Sequence, residues 1–306
     1  MTNPYKNYLR IISIYIPLLI MKWQDFLQIY REQSKFDPES WVKQKCCLLN
    51  EYLAKHRLSG AVISVSGGVD SAVTLALLHH TLYLHESNLH KIMALSQPIH
   101  SSDWALQRAE ELCSKFDIPL TVIDQTDIHQ SLVQKFTDSV GQTGDPFSQG
   151  QLRSYLRTPA NYYASQLLRE QGFPAVVIGT GNKDEDGYLA YFCKYGDGAV
   201  DLQLIADLHK SEVFQVGKFL GIPQSILSAP PSADLWIGHT DEEEMGFPYD
   251  FIEFYTGYYL QLSIEEKAKM IDTLDSDSLS EFMEFEAAST AIHKRNAHKL
   301  GGVINL

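Results

Sequence analysis

The sequence predicts a three-layer α/β fold: a doubly wound, five-stranded parallel sheet with helices on both faces. Three observations carry this reading. Five apolar runs of strand length alternate with longer stretches of helical periodicity, the order of right-handed βαβ units. The first run, Ala61 to Val65, breaks into Ser66-Gly67-Gly68 and resumes as a helix, a junction suited to presenting backbone to a ligand. No internal repeat or low-complexity tract suggests a different architecture.

Each element has a local signal. Asp37-Pro38-Glu39 starts a helix, and helical periodicity follows to about Arg57. After the strand Ala61 to Val65, a helix runs from about Ser71 to Leu84. His90 to Leu95 is a second strand, Ser101 or Ser102 can cap a helix running to Phe116, and Leu120 to Ile123 is a third strand. The turn-rich break Gly141-Gln-Thr-Gly-Asp-Pro146 precedes a helix from about Gln151 to Gln171. Pro174 to Ile178 supplies a fourth, buried strand and Ala199 to Leu204 a fifth. From Ser263 onward the chain reads as helical and charged.

A chain of 306 residues, 44% hydrophobic, is long enough for one sizeable core with embellishments. Residues 21–306 are expected to form a single domain with a helical C-terminal segment, preceded by an N-terminal extension, 1–20. Leu9 to Ile20 is mostly apolar but too short to span a bilayer and lacks a small-residue cleavage site. It reads as an upstream extension or misassigned start rather than a membrane or organelle address. With 25 basic against 38 acidic residues the net charge is -13, which disfavours nucleic acid as a partner. Cys46, Cys47, Cys113 and Cys193 have neither Cys-x-x-Cys nor zinc spacing and read as reduced thiols of a cytoplasmic protein.

The Ser-Gly-Gly junction suits polyphosphate. Helix N-terminal N–H groups face an anion there, Gly67 and Gly68 permit close backbone approach and positive φ, and Ser66 and Ser71 carry hydroxyl donors. It is not a Walker A loop, and Gly179-Thr-Gly181-Asn lacks the third glycine of a dinucleotide fingerprint. Asp70 would repel phosphate unless a cation intervened, so the junction implies Mg²⁺ between carboxylate and nucleotide.

Ser66-Gly67-Gly68-Val69-Asp70-Ser71 resembles the pyrophosphate loop of the N-type ATP pyrophosphatases, whose fold is adenine nucleotide alpha hydrolase-like. Further blocks occur in the order and near the spacing of NAD synthetase: Gly179-Thr180-Gly181-Asn182-Lys183-Asp184-Glu185, Lys194-Tyr195-Gly196-Asp197, Asp201, Lys210, Pro231-Ser232-Ala233-Asp234, Thr240 to Gly246 and His293-Lys294-Arg295. The resemblance covers roughly Trp41 to Arg295. It implies an ammonia-dependent NAD⁺ synthetase, a ligase turning ATP, deamido-NAD⁺ and ammonia into AMP, pyrophosphate and NAD⁺ through an adenylate.

What the resemblance implies residue by residue is as follows. Asp70 and Glu185 hold Mg²⁺; Asp70, Lys210, Ser232 and Asp197 are catalytic. ATP, a co-substrate, meets Ser66, Gly67, Gly68, Asp70, Ser71, Thr180, Lys210 and Ser232. Deamido-NAD⁺ meets Phe147, Gln151, Arg157, Lys194, Asp197, Asp201, Glu244, His293 and Lys294, with the acids also placed to receive ammonia. A homodimer with this site at its interface is implied, Ala160 to Leu168 being one candidate contact. About sixty residues precede Ser66, too few for a glutaminase domain, so free ammonia or a separate donor protein is expected.

Taken without the resemblance, Glu185 is a solvated acid in an acidic run, Lys210 a surface ion-pair lysine and Phe147 a core side chain. Two departures fall on the dinucleotide side. The usual Gly-Asn-x-x-Ala-Arg-x-Arg is here Gly150-Gln151-Leu152-Arg153-Ser154-Tyr155-Leu156-Arg157, and Asp-Ile-Asn-Pro is Asp201-Leu202-Gln203-Leu204. The alternatives are another adenylating amidotransferase, a tRNA-modifying enzyme, against which the acidity and the missing Cys-x-x-Cys weigh, and a non-catalytic adenine-nucleotide module.

Overall fold

A computed structural model describes residues 20–231 and 240–303. Helix α1 (Trp23–Ser34) is followed by α2 (Pro38–His56), which begins where Asp37 accepts from Ser40 N–H and Pro38 occupies the first turn. Then come β1 (Gly60–Ser64), α3 (Val69–Leu82), β2 (Lys91–Ser96), α4 (Asp103–Lys115), β3 (Leu120–Val122), α5 (Thr126–Val140), α6 (Pro146–Glu170) and β4 (Ala175–Gly179). A π-helical turn (Lys183–Leu189) leads to β5 (Leu202–Gln203), α7 (Lys210–Phe219), α8 (Gln224–Leu227), α9 (Asp241–Met245) and α10 (Tyr249–Glu253). Helices α11 (Ile264–Thr273) and α12 (Ser276–Asn296) follow.

The five strands are parallel in the order β3-β2-β1-β4-β5, with Gly60–Ser64 opposite Lys91–Leu95 on one side and Gly60–Ile63 opposite Ala175–Ile178 on the other. Strand order therefore reverses between β1 and β4, and a crevice opens beyond their carboxyl ends. Alternation along β1 explains the layers. Ala61 and Ile63 face a core shared with α2, α3, α4 and α7, while Val62 faces Ala164 and Leu168 of α6. Helix α3 is apolar almost all round because it lies inside the first core, with Ala72, Val73 and Leu75 to Leu78 buried.

A second, aromatic core joins α1 to the C-terminal helices. Trp23 and Phe26 pack with Phe251, Phe254, Tyr258 and Phe282, and the Trp23 and Phe251 rings meet edge-on at 5.5 Å. It anchors the segment that follows α9 against the π-helical turn.

The expected strands and helices are in place, with the following differences. Helix α6 starts at Pro146 rather than near Gln151, because Asp145 caps it through Ser148 N–H and Pro146 fits the first turn. The expected fifth strand shrinks to two residues, because the Asp201 carboxylate accepts from Val177 N–H where a strand carbonyl would. Helices α1, α5, α8, α9 and α10 were not foreseen. Among α5 residues only His129 is buried, so it carries little core periodicity. No described helix is long and apolar enough to cross a membrane. Of the N-terminal extension, residues 1–19 lie outside the described residues.

Candidate active site

The loop after β1 is held by its own serines. Ser71 Oγ donates to Gly68 O at 3.0 Å and stands 3.1 Å from Ser66 Oγ, while Ser66 N–H reaches Ser71 Oγ at 3.2 Å. The two hydroxyls expected to face phosphate thus brace the turn, and Gly68 N–H is turned toward Ser66 Oγ at 3.3 Å. Gly67 has φ +84, and a Cβ there would lie 2.5 Å from Ala105 O in α4. Gly68, at φ -90, opens α3, and Asp70 lies in the helix's first turn.

Across the crevice, the Gly179-Thr180-Gly181 turn delivers Asn182, fully buried, as cap of the π-helical turn. Its Oδ1 accepts from Asp184 and Glu185 N–H at 3.0 Å each, and its Nδ2 donates to Asp70 Oδ1 at 3.0 Å. One amide therefore couples the two strand ends. Lys210, first residue of α7, reaches between them, its Nζ 2.7 Å from Asp70 Oδ2 and 2.8 Å from Glu185 Oε1. Tyr249 donates to Glu185 Oε1 at 2.6 Å, and its ring lies 4.9 Å from the Lys210 ammonium.

Electrostatics follow from this enclosure. Burial pushes both carboxyls up and the Lys210 ammonium pulls them down; the balance leaves Asp70 raised and Glu185 lowered. Burial alone would discharge Lys210, but the charges of Asp70 and Glu185 outweigh it and hold the ammonium above its ordinary range. Asp186, next along the turn, is pushed up to about 8 by burial and by the charges of Glu185, Asp197 and Asp70. Its Oδ2 accepts from Gln203 Nε2 at 2.9 Å, while Gln203 Oε1 accepts from Gly181 N–H at 3.0 Å. A Cβ on Gly181 would fall 1.8 Å from Asp186 Oδ2, so a larger residue there would displace that carboxylate.

The site thus unites Asp70, Glu185 and Lys210 as expected, beside the Ser66–Ser71 loop; half-buried Thr180 follows β4 in the turn leading to Asn182. Among the described residues no group of three or more His, Cys, Asp or Glu side chains could hold a metal by itself. Asp70 and Glu185 nevertheless fit Mg²⁺. They are hard oxygen donors already sharing one cation, and such sites draw their other ligands from phosphate and water.

Most residues assigned to the dinucleotide make contacts within the chain, and the charges of Asp197 and Arg157 act on one another. Asp197 accepts from Ser154 of α6 at 2.8 Å and from Cys193 N–H at 3.0 Å; its depth in the protein raises it, although the carboxylate retains access to solvent. Asp201 is spent on the sheet edge, bonded to Val177 N–H and Tyr162. Lys194 donates to Gly302 O at 2.7 Å, and His293 stacks on Tyr188 at 4.2 Å while bonding its carbonyl at 2.6 Å. Glu244 accepts from Tyr191. Arg157 donates from Nε to Gln97 O at 3.2 Å, Gln151 is half-buried, and Phe147 and Lys294 are exposed. Ser232 lies outside the described residues.

Sequence reasoning passed over Asn182, Asp186, Gln203 and Tyr249. Asn182 lies within the Gly179–Glu185 motif, Asp186 directly follows it and Gln203 lies in the departing Asp201–Leu204 segment, and an acidic run next to a glycine turn signals a crevice only once the sheet order is known. Tyr249 has no local signal, since the second core sets its position.

Residues 41–301 match the family model described as NAD synthase. An "NH(3)-dependent NAD(+) synthetase" of Syntrophomonas wolfei is 37% identical over 198 residues, covering 64% of this chain and 75% of the relative. One from Methanosarcina acetivorans is 32% identical over 247 residues, 80% and 89% of the two chains. Among solved structures, an NMN synthetase from Francisella tularensis superposes with TM-score 0.72 at 28% identity, covering 89% of this chain and 99% of that one. An NH3-dependent NAD synthetase from Campylobacter jejuni gives 0.64 at 23% identity, covering 89% and 99%, and supports the fold alone.

Proposed function

The chain belongs to the NAD synthase family, and from that premise we propose that it is an ammonia-dependent NAD⁺ synthetase, joining ammonia to deamido-NAD⁺ at the expense of ATP. The observation that carries the reading is Lys210 set between Asp70 and Glu185 at the sheet's switch point. The loop after β1 and the N-terminus of α3 offer backbone N–H groups to the polyphosphate. Lys210 is placed to stabilise negative charge growing on pyrophosphate as the nicotinate carboxylate attacks the α-phosphorus. Asp70 and Glu185 would hold Mg²⁺, which when bound neutralises phosphate charge. Asp197 and Asp186 line the side of the crevice where ammonium would meet the adenylate; Asp186, pushed up to about 8, is mostly protonated at neutral pH and attracts a cation only as it ionises.

A homodimer is supported by exposed apolar side chains on α5 and α6: Phe136, Val140, Phe147, Tyr155 and Tyr163. A cleft of about 230 Å³ between the same helices, lined by Val133 and Leu152, continues this surface. Four free thiols suit the cytoplasm.

A second acceptor is favoured by one observation. The Francisella tularensis structure is that of an NMN synthetase, and the motif departures at Gln151 and Tyr155 lie on the side assigned to the dinucleotide. The deciding assay supplies purified protein with ATP, Mg²⁺ and ammonium or glutamine, and either deamido-NAD⁺ or nicotinic acid mononucleotide. NAD⁺ formed with ammonium is expected; amidation of the mononucleotide alone would move the substrate to the smaller acceptor, and pyrophosphate without amide would remove both.

A further inference from the structure

Behind Lys210 lies a buried chain of polar groups that the reaction itself does not use. Asp184 is fully buried, with Oδ2 accepting the backbone N–H of Lys210 at 2.7 Å and Oδ1 facing His209 Nδ1 at 2.7 Å. His209, 1% exposed, turns its Nε2 to Lys183 Nζ at 2.9 Å and to the Tyr30 hydroxyl at 3.3 Å. An ammonium only donates, so Nε2 is the acceptor and Nδ1 carries the proton given to Asp184. Glu212 Oε2 accepts His209 N–H at 2.8 Å and fixes the same corner from within α7. Tyr30 comes from α1, outside the residues that match the family model, and the absence of a side chain at Gly257 makes room for its ring: a Cβ there would lie 2.6 Å from it.

We propose that His209 and Asp184 are positioning residues for Lys210, with Tyr30 as their outer stop. Asp184 binds the first N–H of α7, where a carboxylate also complements the helix dipole, and so sets the height from which the lysine side chain departs. His209 holds Asp184 in that rotamer. The inference rests on Lys210 serving the reaction as proposed above.

The test compares two amides of similar size. His209→Asn keeps a donor where Nδ1 stood and hence the Asp184 bond; His209→Gln keeps the outer contacts and gives up that bond. Steady-state pyrophosphate release should show kcat within about twofold of wild type for Asn and down about tenfold or more for Gln, with KM for ATP little changed. Tyr30→Phe should fall between the two. Equal kcat for the two amides, or losses that track melting temperature alone, would overturn the proposal while leaving the reaction centre standing. Lys210→Met, run alongside, separates the two ideas: if it turns over normally, the assignment of Lys210 fails instead.

Discussion

Gly67 and Gly68 are adjacent in sequence and opposite in what they should do when replaced by alanine. At Gly67 the backbone is left-handed, φ +84, which costs an L-residue about 1–2 kcal/mol. The new methyl would also lie 2.5 Å from Ala105 O and 3.1 Å from Ala105 C and Cα, all backbone of α4, so the loop or the helix must move by at least about half an ångström. Overpacking of that kind adds about 1–3 kcal/mol, for a total of about 2–5 kcal/mol. In a domain of this size that corresponds to roughly 5–10 °C in Tm. At Gly68, φ is negative and the new methyl meets only Ser66 Oγ, at 3.4 Å, an ordinary contact. Gly68→Ala should melt within about 2 °C of wild type yet raise KM for ATP, since its methyl projects where phosphate approaches. Differential scanning fluorimetry without nucleotide, paired with pyrophosphate release, reads both. A Gly67→Ala protein melting like wild type would refute the strain argument, and unchanged KM in Gly68→Ala would mean phosphate does not approach there.

Other consequences are equally direct. Asp70→Asn and Glu185→Gln should each lose turnover by about 10²–10³-fold with secondary structure intact by circular dichroism, and removing Mg²⁺ from wild type should have the same effect; full activity in either variant would end the metal assignment. Asp186 should make the nucleotide-free protein less stable as pH rises. Its carboxyl ionises near 8 when folded against an ordinary 3.8, so between those values the folded chain holds a proton that the unfolded chain has released, and folding is favoured at the acid end. Melting scans in Mg²⁺-free buffer should fall from pH 5 to pH 8 for wild type and more gently for Asp186→Asn; parallel curves would contradict this. Phe136→Asp and Tyr163→Asp should convert a dimer to monomers in sedimentation velocity, an outcome already refuted if wild type sediments as a monomer.

The legible part of the fold is the part governed by local rules. Apolar runs of four to six residues located the first four strands to within about one position, because short apolar runs bounded by turn residues leave little ambiguity, whereas the fifth was drawn three residues too early. Asp37-Pro38 and Ser66-Gly67-Gly68 announced their own turns. The Asp70–Glu185–Lys210 cluster was legible only through family resemblance, since 140 positions separate Asp70 from Lys210 and no periodicity spans that distance. Asp201 shows another limit. Its two oxygens serve Val177 N–H and Tyr162, a placement set by where the sheet ends and announced by no local pattern. Helix α5 escaped notice because its apolar side chains Ile128, Phe136 and Val140 point outward, so its pattern describes a surface rather than a core.

The balance of charge in the crevice gives the proposed reaction an order. Asp70, Glu185, Asp186 and Asp197 act on one another there, and Lys210 is the cation held between the first two. A polyphosphate adds negative charge to an acidic wall, so it is favoured only in company with cations, and Lys210 must be shared between the acids and the leaving oxygens. Once pyrophosphate has departed with its counter-charge, the acids are again in excess, and ammonium is the cation whose arrival relieves them. Asp186, pushed up to about 8 by its neighbours, is mostly protonated at neutral pH, and the arriving ammonium favours its ionised form. Under the proposed function, the same excess of carboxylates that demands a cation with ATP in the first half-reaction recruits the nitrogen source in the second. Neutralising Asp197 should therefore weaken ammonium saturation more than ATP saturation, and an equal effect on both would show that this acid acts only as scaffolding.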